Sequence, residues 1–154
     1  MTTGIRDIKS QSIMGDEEYR ELLIPLVEYL KEIGCGEQQH DGRSLLHHLV
    51  GVSKLLSERG ASDTLCIAGL FHSIYETSHF DSKMVSIDDR EKTKDLIGAE
   101  AENLVYQFCI LPKDRRKAIE TLPYDQMRTD LADLAYANYD EQRIWKENNN
   151  DTGT

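Results

Sequence analysis

The chain has 154 residues, 39% hydrophobic and 30% charged, with 18 basic against 28 acidic side chains and a formal net charge of −10. That length suits one domain with its own core, and the composition is that of a folded protein rather than a disordered one. The acidic balance argues against a nucleic-acid partner, and without an apolar run of about 18 residues no membrane partner or span is expected.

Residues 1–14 are polar and aperiodic, so they read as a flexible leader. They lack the apolar stretch of a secretory signal, and a cytoplasmic location is expected. A first helix is expected from Asp16 to Ile33, acidic in its first turn and stopped by Gly34. Pro25 should kink or divide it. A second helix begins after HDGR at Ser44 and ends at Gly60. Ser62 or Asp63 caps a third, which carries GLFHSIYET (residues 69–77).

The polar stretch TSHFDSKMVS then reads as a loop. A fourth helix is expected near Ile87, with Asp88 and Asp89 in its first turn. Gly98 separates it from a helix over AEAENLVYQFCIL, which Pro112 ends. KDRRK (113–117) reads as a solvated loop or a first helical turn. After Pro123 a long last helix runs through about Trp145, and residues 147–154 form a disordered tail by composition. The expectation is an all-α single domain of five to six helices over residues 15–146.

Cys35, Cys66 and Cys109 are odd in number and form no CxxC pair, which argues against disulfides or a thiolate zinc site. The histidines are more informative. At about 100° per residue, Leu45, Leu49, Val52 and Leu56 define the buried stripe of the second helix. His48 falls beside that stripe, while His47 falls on the far side with Arg43 and Gly51. In the third helix Ile67, Leu70, Phe71 and Ile74 form a bulky face. Ala68, Gly69, His72 and Glu76 lie opposite, with Ser73 at the edge.

Two readings of His72 stand here: a core histidine bonded to a backbone carbonyl, or a ligand. His48 and His72 lie 24 residues apart on adjacent helices joined at Gly60. Two imidazoles meeting between helices make half of a metal site for Zn, Mn or Fe.

HLVGVSKLL from His48, then Gly60, then AGLFHSIYET resembles the HD superfamily of metal-dependent phosphohydrolases. Nearest in pattern is the guanosine-tetraphosphate hydrolase branch, with its HPLxVAxxL helix and AALLHDxxED box at the same interval. The box, with Arg90 to Phe108 after it, also resembles a poorly characterised HD-like family that has serine where the hydrolases have aspartate. The resemblance implies an HD-like helical domain with His48 and His72 as metal ligands. It implies that Glu76 orients or deprotonates the attacking water. Ser73 replaces the metal-bridging aspartate and is a poor substitute toward a hard ion.

A late aspartate ligand would match Asp133 in LADLAYAN, but Met127, Leu131, Leu134, Ala135 and Asn138 share one face and Asp133 points away from it. His40 in HDGR is a candidate third imidazole. Arg43, Tyr75 and Asn138 are the candidate substrate-binding residues, Arg43 for an anion. One divalent metal (Mn, Fe or Zn) is therefore expected, with a metal-free domain as the alternative. The candidate activity is hydrolysis of a small phosphorylated compound or nucleotide, so a small anionic molecule is the expected partner. A catalytically inactive HD-like small-molecule or protein-binding module is the first alternative. An iron-dependent oxygenase ranks last, because it needs more His and Asp ligands.

Overall fold

The computed structural model describes residues 16–40, 42–75 and 85–150, with Asp16, His40 and Asn150 described at their backbone alone. Its helices are α1 (Asp16–Glu32), α2 (Leu45–Glu58), α3 (Asp63–Phe71), α4 (Arg90–Ile97), α5 (Ala99–Cys109), α6 (Arg115–Glu120) and α7 (Gln126–Asn150). A minimal antiparallel hairpin, β1 (Gln39–His40) with β2 (Arg43–Ser44), leads into α2. The chain is all-α, as the sequence indicates. Among the described residues none of the helices is long and apolar enough to cross a membrane.

The described helices number seven rather than five to six. The extra one is α6, which grows from KDRRK because the Asp114 carboxylate caps it by accepting from Lys117 N–H. α1 is not divided: Pro25 lies inside one continuous helix. The lost N–H removes one bond, while Leu26 and Leu30 anchor the same helix in the core. α7 reaches Asn150, so residues 147–150 are helical rather than tail. The expected leader (1–14), residue 15 and the last four residues lie outside the described residues.

Two expected starts and stops move. α4 begins at Arg90, because Ser86 takes the N–H groups of Asp88 and Asp89 in a turn. α3 ends at Phe71, with His72 as its C-cap. Beyond it Ile74 accepts from Val85 N–H, and Tyr75 bridges Val85, so the backbone there pairs sideways instead of continuing the helix.

The core forms around α2, which packs against α3 and α7, while α3 also packs against α5. Leu45, Leu49, Val52 and Leu56 are fully or almost fully buried, as their period requires. They meet Leu70 and Phe71 of α3, Val105 and Phe108 of α5, and Leu131 and Leu134 of α7 in one apolar cluster. Burial of this kind is the main favourable contribution to folding, about 1.5–3 kcal/mol per large side chain.

α3 is buried on both sides, not on one bulky face: Ala68 and Gly69 are buried, and Ile67 is only half-buried. A Cβ at Gly69 would fall 2.6 Å from Leu56 Cδ1, so the small residue is what lets α2 lie this close beneath His72.

Candidate functional site

The centre is assembled from three helices. α2 contributes His48, the end of α3 contributes His72, and α7 contributes Asn138 and Glu141. His48 and His72 are buried and their rings meet edge to face, centroids 5.2 Å apart. Oδ1 of Asn138 lies 2.8 Å from His48 Nε2 and 3.1 Å from His72 Nε2. The two ring nitrogens therefore converge on one point.

Each Nδ1 has its own partner. His72 Nδ1–H donates to the Gly69 carbonyl at 2.7 Å, and His48 Nδ1–H donates to the Glu141 carboxylate at 2.6 Å. The core-histidine reading of His72 holds, since it bonds a backbone carbonyl, and its other nitrogen faces the centre. Burial, reinforced by His48, pushes the His72 imidazole down to about 3, against the hydrogen bond to Gly69. His72 is neutral at physiological pH, and its Nε2 carries a lone pair.

That lone pair decides how the carboxamide serves the site. Oxygen and nitrogen of a carboxamide exchange by a half-turn with the same outline. Turned with its amide nitrogen inward, Asn138 donates to the imidazoles. Turned with its oxygen inward, it offers a donor atom to a cation.

Glu141 is held in turn by Arg43, whose Nη1 donates to Oε2 at 2.6 Å while Nη2 reaches Oε1. Burial works to raise the Glu141 carboxyl, but the hydrogen bonds from His48 and Arg43 outweigh it and hold it at about 2. The guanidinium also lies 4.6 Å over the Trp145 ring, and His47 packs edge-on against the same ring. A Cβ at Gly51 would fall 2.5 Å from Glu141 Oε2, so glycine in mid-α2 makes room for the carboxylate.

The expected site residues separate clearly. His48, His72 and Asn138 come together, and His47 is exposed as expected. Asp133 is exposed and lines a shallow surface groove with Tyr124 and Arg128, so it is not a ligand of this centre. Its register on α7 turns it from the face that carries Asn138.

Arg43 does not await an anion: it is buried and bidentate on Glu141. Tyr75 is fully buried, and its hydroxyl donates to Glu102 at 2.8 Å, a second buried cluster that Arg90 completes. Ser73 is half-buried just past α3. Glu76 lies outside the described residues, as does the side chain of His40. α3 stops at Phe71, so the helical period on which the face of His72 was read ends there.

Two residues were not singled out from sequence. Glu141 lies seven residues after Leu134 and three after Asn138, a signal that continues the buried stripe of α7. Arg115, within the KDRRK run, stacks on Phe108 with its Cζ 4.4 Å from the ring centroid. Phe108 in turn packs edge-on against His72 at 5.6 Å.

The donor set bears on which ion fits. Two imidazole nitrogens and a carboxamide oxygen suit a borderline ion such as Zn or Fe, and they suit a hard ion poorly. Both Glu141 oxygens are occupied by Arg43 and His48. Among the described residues, no group of three or more His, Cys, Asp or Glu side chains could hold a metal. The described residues thus fit a nitrogen-rich half-site for a borderline ion, not the carboxylate-rich set that the HD resemblance implies.

No curated protein and no solved structure matches the chain. Residues 29–113 match one family model, whose description is Domain of unknown function (DUF6817). The match covers more than half of the chain and includes His48, His72 and Glu102, while Arg115, Asn138 and Glu141 lie beyond it. The chain therefore belongs to the DUF6817 family.

Proposed function

We propose that this chain is a divergent HD-like domain of the cytoplasm that hydrolyses a small phosphorylated compound, such as a nucleotide. One divalent ion, Zn or Fe ahead of Mn, would be held by His48 and His72. The observation that supports this reading is the convergence of two Nε2 atoms on one point, each ring fixed through its Nδ1–H.

An ion bound there supplies Lewis acidity and lowers the pKa of a bound water. The chain's own residues do the rest. Glu141 and the Gly69 carbonyl fix ring orientation, as outer-shell partners of ligating histidines do. Arg43 neutralises Glu141, so a buried carboxylate is not left uncompensated. Asn138, turned oxygen-inward, would be the third donor.

One observation favours a second reading, a metal-free binding module. Asn138 turned nitrogen-inward satisfies the imidazoles by itself, and the Arg43–Glu141 pair is already closed.

The test is phosphate release from a panel of phosphomonoesters and nucleotides by chelator-treated protein resupplied with Zn, Fe or Mn. Hydrolysis that needs an ion and disappears in both His48→Ala and His72→Ala is the expected result. No hydrolysis with any ion across the panel would contradict the hydrolase reading and leave the binding module.

A further inference from the structure

Among the described residues, most arginines that are shielded from water are matched by acids. Arg43 sits on Glu141, Arg90 on Glu102, and the more exposed Arg59 and Arg143 on Asp140 and Glu147. Arg128 donates to the Leu122 carbonyl. Arg115 differs. It is half-buried, its Nε is buried without a hydrogen-bond partner as that of Arg43 is, and, unlike Arg43, it forms no ion pair with a carboxylate among the described residues.

A shielded cation without a counter-charge is costly, and costs of that kind persist where a ligand supplies the missing charge. The side chain is also well held, with its guanidinium stacked on Phe108. Phe108 is fully buried and packs against His72, so Arg115 sits one ring away from the two-imidazole centre. Its charge is felt there, since it adds to the effects that disfavour protonation of His72. Lys113, Arg116 and Lys117 surround it in sequence and are exposed, which makes this a local basic patch on a chain of net charge −10. A planar guanidinium with further cations beside it suits a phosphate dianion better than a single carboxylate.

We propose that Arg115 is the anion-binding residue of this protein and takes the phosphate group of a small phosphorylated ligand, the role that sequence reasoning gave to Arg43. The proposal rests on the reading of the chain as one that takes a small phosphorylated compound, but needs neither a bound ion nor hydrolysis.

The experiment is calorimetric titration of chelator-treated protein with inorganic phosphate and with phenyl phosphate. Wild type is compared with Arg115→Met, which keeps the apolar stem over Phe108, and with Arg116→Met as the exposed neighbour. Circular dichroism melts check folding, and Arg115→Lys serves as a second variant that keeps charge but loses the planar fork. Binding of phenyl phosphate weakened roughly tenfold or more in Arg115→Met, and about threefold or less in Arg116→Met, is expected for loss of one charge-assisted pair. Arg115→Lys should fall between wild type and Arg115→Met. Stronger binding of phenyl phosphate than of inorganic phosphate would identify a small-molecule site rather than a bare phosphate site.

Equal losses in the two methionine variants would overturn the proposal in favour of a diffuse basic surface. So would undiminished binding in Arg115→Met, or absence of binding to wild type. If phosphate binds through Arg115 while no ion supports hydrolysis, the hydrolase reading fails and the anion site stands.

Discussion

Asn138 reaches back across 66 residues of chain to His72, its Oδ1 3.1 Å from the His72 Nε2, and touches His48 with the same atom. One carboxamide thus closes two imidazoles. Replacing it by alanine leaves both ring nitrogens without this partner, at about 1–3 kcal/mol of stability. Urea denaturation of Asn138→Ala should show that loss. Asn138→Asp should be destabilised without metal, because a carboxylate faces the neutral His72 lone pair. It should also gain more thermal stability from Zn²⁺ than wild type does. An aspartate variant that ignores Zn²⁺ would contradict the placement of the third donor.

Glu141 holds Arg43 and His48 together inside the protein. Glu141→Ala strands the Arg43 guanidinium and should cost about 3–5 kcal/mol, whereas Arg43→Met combined with Glu141→Leu should recover most of it. Urea denaturation of the two variants measures both. Gly51→Ala should act on the same pair, because the new Cβ would lie 2.5 Å from Glu141 Oε2 and push the carboxylate aside.

The second buried cluster predicts acid sensitivity. Burial works to raise the Glu102 carboxyl, but hydrogen bonds from Arg90 and Tyr75 outweigh it and leave it below the usual carboxylate range. A carboxyl lower in the folded than in the unfolded chain stabilises fully above the unfolded value. That contribution is lost as pH falls from there through the folded value. Glu102→Gln should therefore flatten the acid limb of the stability curve, read as urea midpoints from neutral pH downward. An unchanged acid limb would contradict this account of the cluster.

The thiols should be silent. Burial pushes Cys35 up to about 11 and Cys66 and Cys109 up to about 12, and all three are free and buried. Native protein should not react with a thiol reagent over minutes at neutral pH, and urea should release all three. Rapid modification of the native chain would contradict the burial.

The inward turn of His48 was legible because a 3.6-residue period fixes which side of α2 meets the core. The same wheel set Asn138 inward and Asp133 outward. It failed beyond His72, because periodicity assumes that a helix continues. Nothing in the sequence of α3 announces the sideways pairing of Tyr75 with Val85 that ends it. Arg43 was misread for a related reason. Its partner, Glu141, lies 98 residues away, and no local pattern shows that a long-range carboxylate already occupies the guanidinium. The small helix α6 was half-legible, with Asp114 as cap and prolines on either side, but its one shielded arginine is distinguished by Phe108 alone.

The central claim is that His48 and His72 together present nitrogen to one bound ion. Elemental analysis of untagged protein purified without chelator, alongside His48→Ala and His72→Ala, tests it most directly. Near-stoichiometric Zn or Fe in the wild type, lost in both variants, is the predicted result. No metal in the wild type, with added Zn²⁺, Fe²⁺ or Mn²⁺ leaving its thermal stability unchanged, would contradict it.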